Sequence, residues 1–431
     1  MRFAEAVADL DARQPSRMVP DLDRIRALVD LLDHPEHTYP SIHVTGTNGK
    51  TSTARLIARI LCGHGLATGV YTSPHLHSVT ERLALCDHDV TEEEFAETYA
   101  HLEPYLREID AKALGGERVT YFEALTALAF LWFADKPADA GVFEVGMGGE
   151  WDATNVIEAK VAVFCSIDLD HPELGSTVEE VAREKAGIID PEAAVVVQDP
   201  DQEALPVIEA RAAERGARIL LRDRDFRLLD RRVAVGGQQI AVAGTRARYR
   251  DLVLPLHGPH QALNAVTAIV AAEAFLGAPL AEDVLEQALA GATSPGRLEI
   301  IDRHPLVVLD GAHNRDAARA LAEALPEAFV WRRLHLVIGV LETKDVAGIL
   351  ASLAARVTRA HAAPNSNPKA LSADRMADAC RAAGIDDVEA HSSVAVALQA
   401  ALAEADEEDL ILVTGSLYTV ADARPRLPRS T

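Results

Sequence analysis

The nine residues Val44-Thr45-Gly46-Thr47-Asn48-Gly49-Lys50-Thr51-Ser52 combine two glycines, a lysine and several hydroxyls. Those types at that spacing suit a phosphate chain. Glycines let backbone N–H groups turn inward around an anion, and the amine adds a mobile positive charge. The flanks fix the context. Ser41, Ile42, His43 and Val44 read as a short strand, and Leu56, Ile57, Ile60 and Leu61 recur at helical spacing. Strand, tight turn and helix N-terminus then aim their dipoles at one point. Lys50 is expected to reach the outer phosphates, and the Thr51 hydroxyl to hold magnesium. The general pattern has a further glycine where this chain has Val44, so the loop is a shortened form, G-T-N-G-K-T.

Other polar residues stand at the ends of apolar runs. Ser73 follows Val70-Tyr71 and precedes Pro74, which stops regular structure. Glu144 lies inside the run Ala140–Val145, just before Gly146-Met147-Gly148-Gly149. A carboxylate there is costly unless something pairs with it, and a metal is the obvious partner. Val161–Ile167 delivers Asp168, Asp170 and His171. Further on, Leu306–Leu309 leads to Asp310-Gly311-Ala312-His313-Asn314, and Leu410–Val413 leads to Thr414-Gly415-Ser416. In a parallel sheet such carboxyl ends share one edge. Hydroxyl, carboxylate and imidazole ligands there point to magnesium-assisted phosphoryl transfer.

The elements that must position these residues are also legible. An amphipathic helix is expected over Asp21–Leu32. Thr91 with Glu94, and Thr177 with Glu180, have capping-box spacing. Thr120-Tyr121-Phe122-Glu123 opens an apolar helix, Ala124–Phe133, and Val195–Val197 is one more strand. Strand and helix alternate over 41–200, which predicts an α/β fold with a doubly wound, mostly parallel sheet. From about 218 to 256 the texture predicts a small antiparallel insertion, followed by an Ala-rich helix with Asn264 in its first turn. Gly291–Gly296 marks a boundary between residues 1–296 and a smaller Rossmann-like α/β domain, 297–431. A cleft closing on substrate is expected between two such domains. The tail Arg424–Thr431 is expected to fray.

Composition sets limits. A chain of 431 residues exceeds one ordinary core. A net charge of −24 argues against nucleic acid, which needs a basic face. No run of eighteen apolar residues occurs, so no membrane span is expected, and Met1–Leu10 lacks the apolar region of a secretory signal. The four cysteines, Cys62, Cys86, Cys165 and Cys380, are not at metal-ligand spacing, and free thiols in a reducing cytoplasm are expected.

Nine motifs stand in register along nearly the whole chain. They are H-V-T-G-T-N-G-K-T-S (43–52), T-S-P-H-L (72–76), T-Y-F-E (120–123), E-V-G-M-G-G-x-x-D-A-T-N-V (144–156), L-D-H (169–171), E-K-A-G-I (184–188), H-Q-x-x-N-A (260–265), P-G-R-L-E (295–299) and D-G-A-H-N (310–314). With them the chain resembles the folylpolyglutamate synthase/dihydrofolate synthase family, within the Mur-ligase-like ATP-dependent amide ligases. The resemblance implies a P-loop ATPase domain followed by a ligase domain. It implies that ATP converts a substrate carboxylate to an acyl phosphate, which the amine of L-glutamate attacks. Dihydropteroate, folate or both would be the acceptor, and a cytoplasmic monomer is expected.

The resemblance also assigns roles. Gly46, Thr47, Asn48, Gly49, Lys50, Thr51 and Ser52 hold phosphates. Ser73, Glu144 and His171, with Thr51, bind magnesium, expected as two ions. Lys185 carries a carbamate that serves as a further anionic metal ligand. Asn264, Arg297 and Asp310 contact the nucleotide, Arg297 as a γ-phosphate clamp and Asp310 at the ribose. His313 and Ser416 position glutamate. Tyr121, Phe122, Asp152 and Thr154 face the pterin.

Three departures stand out. Glu150 replaces an arginine common in the family, the loop from His171 to Leu174-Gly175 is short, and Lys369 stands where arginine is common. Glu150 and the short loop leave a sister ligase with a non-folate acceptor as the alternative. A nucleotide-binding switch without ligation is a third reading, which the coexistence of Glu144, His171, Lys185 and Arg297 disfavours.

Overall fold

A computed structural model describes residues 1–15 and 20–424. The expected fraying tail therefore lies, past Arg424, outside the described residues. The chain divides into two compact units. One holds Met1–Arg232, Gln239–Leu254 and Ala262–Ala292; the other holds Val233–Gln238, Pro255–Gln261 and the chain from Thr293 onward.

The first unit is built on eight strands: Ser41–Thr45 (β1), Thr68–Tyr71 (β2), Leu83–Leu85 (β3), His88–Asp89 (β4), Ala140–Glu144 (β5), Ala159–Phe164 (β6), Ala194–Val197 (β7) and Arg218–Leu221 (β8). Their order in the sheet is β4-β3-β2-β5-β1-β6-β7-β8. From β2 to β8 neighbouring strands run parallel, and only the β2–β3 and β3–β4 pairs are antiparallel. β1 and β5 are buried along their whole length, as expected of strands covered on both faces. Two apolar clusters lie side by side on one face of the sheet, which Phe143, Ala162 and Val195 share through the register of β5, β1, β6 and β7. One gathers the helices Phe3–Asp11, Asp23–Leu31, Glu92–Lys112 and Tyr121–Asp135. The other gathers Val178–Lys185 and Ala204–Arg215 against β6 and β7. The helix Lys50–Gly63 packs on β2 and β5 from the opposite face, where Thr53 meets Cys165, so a doubly wound sheet is present as expected.

Three local expectations are corrected. β8 pairs parallel with β7, so residues 218–221 complete the main sheet. The small sheet begins later, with Arg227–Ala234 (β9), Gly237–Ala243 (β10) and Arg248–Leu254 (β11), in the order β11-β10-β9. The helix Ala204–Arg215 supplies the crossover that a parallel β7–β8 pair requires. Next, Cys62 and Cys86 form a disulfide (Cα–Cα 5.7 Å), whereas only Cys165 and Cys380 are free and both are buried. Cys62 lies in the last turn of the helix Lys50–Gly63, which packs on β2, and Cys86 follows β3, the partner of β2. Lastly, Thr91 and Thr120 form full capping boxes, but Glu180 turns to the Ser176 backbone N–H at 2.7 Å. Among the described residues no helix is long and apolar enough to cross a membrane.

The second unit has six strands: Glu299–Arg303 (β12), Leu306–Leu309 (β13), Leu334–Ile338 (β14), Arg359–Ala362 (β15), Val388–Ala390 (β16) and Leu410–Thr414 (β17). The order is β12-β13-β17-β14-β15-β16, parallel except for the β12–β13 edge. Three imidazoles stack across it. The His335 and His361 ring centroids are 5.9 Å apart, those of His361 and His391 are 5.3 Å apart, and His361 Nδ1 lies 3.1 Å from His391 Nε2.

Two predictions follow from buried charge. Arg24 and Glu123 form an almost fully buried pair at 2.9 Å. Arg24→Met leaves the carboxylate without its cation, so unfolding in urea should show a loss of about 3–5 kcal/mol. In the second unit, burial pushes His361 down to about 4 and lowers His335. Unfolded histidine titrates near ~6.5, so below that pH the unfolded chain binds more protons and the fold loses stability until about pH 4. Calorimetric Tm should fall on the order of 5 °C more from pH 6.5 to 4.5 in the wild type than in His361→Asn. Identical slopes would remove the stack as the cause.

Candidate active site

The phosphate turn joins β1 to the helix Lys50–Gly63. Gly46 and Gly49 have φ of 146° and 93°, where side chains are strained. Space is short as well. A Cβ on Gly46 would stand 2.7 Å from Cys165 Cβ, and one on Gly49 2.7 Å from Asn264 Oδ1. The turn is pinned to the segment after β6. Thr47 N–H donates to Ser166 O at 2.6 Å, and the Thr47 hydroxyl donates to Asp168 O at 2.8 Å. Lys50 Nζ donates to Gly46 O at 2.8 Å and to Thr47 O at 3.2 Å. Ser52 is buried in the first turn of the helix.

Glu144 ends β5 beside this turn. Its Oε1 accepts from the Thr51 hydroxyl at 2.8 Å, and its Oε2 accepts from the Ser73 N–H at 3.0 Å. Three residues expected at the metal are thus together. Their hydroxyl and carboxylate oxygens are the hard donors that suit magnesium.

Lys185 arrives from the other face of the sheet, at the end of the helix Val178–Lys185. Its Nζ donates to Gly46 O at 3.0 Å, the same carbonyl that Lys50 reaches. Burial first, and the Lys50 charge second, lower this amine from its usual range to about 7. The approach needs glycines. A Cβ on Gly149 would stand 2.9 Å from Lys185 Cα, and one on Gly187 would overlap Glu150. So the motifs around 146–149 and 184–188 are two sides of one contact.

A cavity of about 600 Å³ opens beside Ser73. Phe122, Trp151, Asp152 and His171 line it. Phe122 lies over Gly146, where a Cβ would be 2.5 Å from its ring. The His171 imidazole is partly exposed, with Nε2 3.4 Å from Asp170 Oδ2. Tyr121 and Thr154, expected to face the acceptor, are not in the cavity wall. Tyr121 carries the Arg82 guanidinium over its ring at 5.3 Å. Thr154 supports Asp152 from behind, bonded to it through N–H at 3.0 Å and to the neutral ring of His43 at 2.8 Å. Burial holds His43 down at about 3 and raises Asp152 above the usual carboxylate range.

Glu150 is exposed and is not in the wall either; its neighbour Trp151 is. The Glu150 side chain is therefore not part of the charge that lines this cavity. Sequence reasoning missed four cavity arginines: Arg13, Arg24, Arg82 and Arg118. Arg13 pairs with Asp110 at 3.0 Å, Arg118 with the same carboxylate at 3.4 Å, and Arg24 with Glu123. Arg82 instead donates to His75 Nδ1 at 2.9 Å, an imidazole that burial holds down at about 4. Arg82 stood inside the T-E-R run at 80–82, so a signal existed for it; for Arg13 there was none.

In the second unit, Asp310 links two motifs. It accepts from Leu298 N–H and Ala312 N–H, each at 2.9 Å, and burial raises its carboxyl while Arg297 opposes that. A Cβ on Gly311 would run into Arg297 Nη1, so this glycine gives the guanidinium its place. His313 Nδ1 lies 3.1 Å from Gly311 O. The buried Ser416 hydroxyl caps the helix Leu417–Ala423 by accepting from Tyr418 N–H at 3.2 Å.

Known proteins carry the same organisation. Residues 44–272 match the Mur ligase middle domain, and residues 296–417 match the Mur ligase glutamate ligase domain. A dihydrofolate synthase/folylpolyglutamate synthase of Mycobacterium tuberculosis is 40% identical over 96% of this chain and 92% of its own length. One from Bacillus subtilis is 33% identical over 99% of each chain. Among solved structures, Mycobacterium tuberculosis folylpolyglutamate synthase complexed with ADP superposes with a TM-score of 0.93 at 40% identity, covering 98% of this chain and 97% of that one. Escherichia coli FolC in complex with DHPP and ADP superposes with a TM-score of 0.87 at 33% identity, covering 98% and 96%. The phosphate turn, the carboxylate beside it and the lysine behind it thus belong to a member of the dihydrofolate synthase/folylpolyglutamate synthase family of Mur-type ligases.

Proposed function

We propose that this enzyme is an ATP-dependent ligase that activates the carboxylate of dihydropteroate or a folate as an acyl phosphate and joins it to the amine of L-glutamate. One observation carries the reading. Ser73 lines the acceptor-sized cavity and also holds Glu144, whose other oxygen holds the phosphate-turn Thr51. Phosphate seat and acceptor seat are therefore one bond network apart, as in-line transfer requires.

In this reading the 46–52 backbone and Lys50 hold the phosphates, with Asn264, Arg297 and Asp310 on the nucleotide. Thr51, Ser73, Glu144 and His171 hold magnesium, as two ions. Bound magnesium would neutralise phosphate charge during transfer. Lys185 supplies a further anionic ligand as a carbamate. Its amine nitrogen bonds to the carbon of CO2 and loses a proton to solvent. An ordinary lysine is neutral in only roughly one part in a thousand at pH 7.5. The amine of Lys185, lowered to about 7, is largely neutral there and ready to attack. Arg82, faced by the neutral His75 and the Tyr121 ring, is the cation that meets the acceptor carboxylate. Phe122 and Asp152 bind the pterin, with Tyr121 and Thr154 supporting them. His313 and Ser416 orient glutamate. The glutamate nitrogen attacks the acyl carbon, the C–N bond forms, and inorganic phosphate leaves. Residues 1–296 serve as the ATP-binding domain and 297–431 as the glutamate ligase domain. A cytoplasmic monomer without nucleic-acid partners suits a small-molecule ligase of this acidity.

Phosphate release tests the acceptor. ADP and phosphate should form only when dihydropteroate or a folate and L-glutamate are both present. Turnover with another carboxylic acid alone moves the reading to the sister ligase, and ATP binding without any turnover sinks the ligase. Lys185→Ala should lower kcat more than about 100-fold while ATP affinity stays within about threefold. Carbon-13 bicarbonate should give a carbamate NMR signal in wild type and none in the variant. Wild-type kcat in Lys185→Ala removes the carbamate role. Metal titration of ATP turnover should show two magnesium sites, one of which weakens with Glu144→Gln.

A further inference from the structure

Distant from the ligase chemistry, a second set of metal-type ligands stands at the entry to β1. The helix Asp23–Leu31 ends, and the chain reverses through Asp33 and His34, both left-handed with φ of 60° and 54°. Pro35 then starts a single helical turn, Pro35–His37, that packs on the helix Tyr121–Asp135. The reversal lays the His34 and His37 rings parallel, with centroids 5.1 Å apart. Between them sits Glu36.

We propose that His34, Glu36 and His37 form a site for a borderline divalent cation of the zinc type. Glu36 Oε1 lies 2.9 Å from His34 Nδ1 and 3.7 Å from His37 Nε2. A tetrahedral ion with bonds of about 2.0–2.1 Å needs ligand atoms about 3.3 Å apart, a value those distances bracket. The Glu36 side chain is 1% exposed, and its Oε2 is buried with no hydrogen-bond partner. A carboxylate so placed is costly unless a positive charge meets it. Among the described residues, its ion-pair partners are these two histidines, and no lysine or arginine joins them. The His34 and His37 side chains are 45% and 43% exposed, which leaves a path for an ion and an open coordination position. Behind His34, Asp30 Oδ1 lies 3.4 Å from Nε2. A carboxylate on the second ring nitrogen is the usual support of a metal-bound imidazole. Two nitrogens and one carboxylate oxygen favour zinc over magnesium.

The alternative for the same atoms is a protonated His34 facing Glu36, and that pairing does raise the imidazole. Two further histidine clusters exist in the second unit, His335/His361/Glu404 and His361/Glu389/His391. There Arg359 already neutralises the carboxylates, at 2.9 Å from Glu404 and 2.7 Å from Glu389. Among the described residues the N-terminal site has no such competitor. Its ion would clamp the end of a helix to the strand that carries the phosphate turn.

The test uses the full chain, stripped with chelator and titrated with zinc chloride in magnesium buffer by calorimetry, with zinc counted by mass spectrometry. One zinc should bind at this site with release of protons and a rise in Tm. H34A/H37A, at two exposed rings, should weaken that binding at least about 100-fold and abolish the zinc-dependent rise in Tm. His37→Gln is the milder second variant and should weaken it by about tenfold or more. X-ray absorption should report two imidazoles and oxygen ligands. Zinc binding unchanged in both variants, zinc lost only in H361A, or no zinc bound by the wild type would each overturn the site.

Discussion

Two lysine amines converge on one carbonyl oxygen, that of Gly46, at 2.8 and 3.0 Å. Two like charges desolvated in one place cannot both persist at low cost. Lys50 is half-buried at the turn, whereas Lys185 is buried, and burial with the Lys50 charge lowers the Lys185 amine. Much of the first unit serves that arrangement. Gly46 must be glycine to turn its carbonyl inward past Cys165, and Gly149 must be glycine to admit the Lys185 backbone. Glu184, next in sequence, accepts the Trp151 N–H at 3.3 Å and fixes the end of the helix against the glycine turn. The meeting of two amines on one carbonyl thus depends on packing that no single motif contains.

The sheet order explains why these groups meet. β1 lies between β5 and β6, so its carboxyl end receives Glu144 from one neighbour and the pinning segment 165–168 from the other. Ser73 comes from β2, one strand further out, and is held to Glu144 through its backbone N–H. That is the crevice position where open α/β sheets bind ligands. The Thr51 hydroxyl, the Glu144 carboxylate and the Ser73 amide are already hydrogen-bonded to one another, which keeps the entropic cost of binding low.

Period and context made much of this legible from sequence. The run Ser41–Val44 marked β1 and apolar runs marked β5, β6 and β7, and Thr51, Ser73 and Glu144 meet because a parallel sheet puts such strand ends on one edge. What escaped notice depended on pairing in space. The Cys62–Cys86 disulfide joins residues 24 positions apart, and nothing in that spacing marks them. β8 resembled the antiparallel texture after it, since four apolar-leaning residues carry no sign of strand direction. Thr154 matched a motif yet serves as a buried strut, because a motif records identity and not which way a side chain faces. Arg13 reaches the cavity wall from the end of the first helix, a placement set by tertiary packing alone.

The acceptor problem also changes shape. Glu150, one of the two departures that keep a sister ligase as the alternative, is exposed, and its backbone N–H is tied to Glu184 O at 2.9 Å. The field that an incoming carboxylate meets is set by charges within about 8 Å, since salt screens the rest. The chain's −24 therefore matters less than the wall of the cavity. In that wall Arg13, Arg24 and Arg118 are matched by Asp110 and Glu123, and contribute shape and rigidity more than net charge. Arg82 is different. His75, which accepts its N–H, is kept neutral by burial and by the guanidinium itself, and the Tyr121 face offers only a quadrupole. A guanidinium held by neutral groups keeps its full charge for a ligand and its planar fork ready for two oxygens. In the proposed reading the cation for the acceptor carboxylate is therefore Arg82, from the turn after Ser73, and Glu150 stands outside the wall that Arg82 lines.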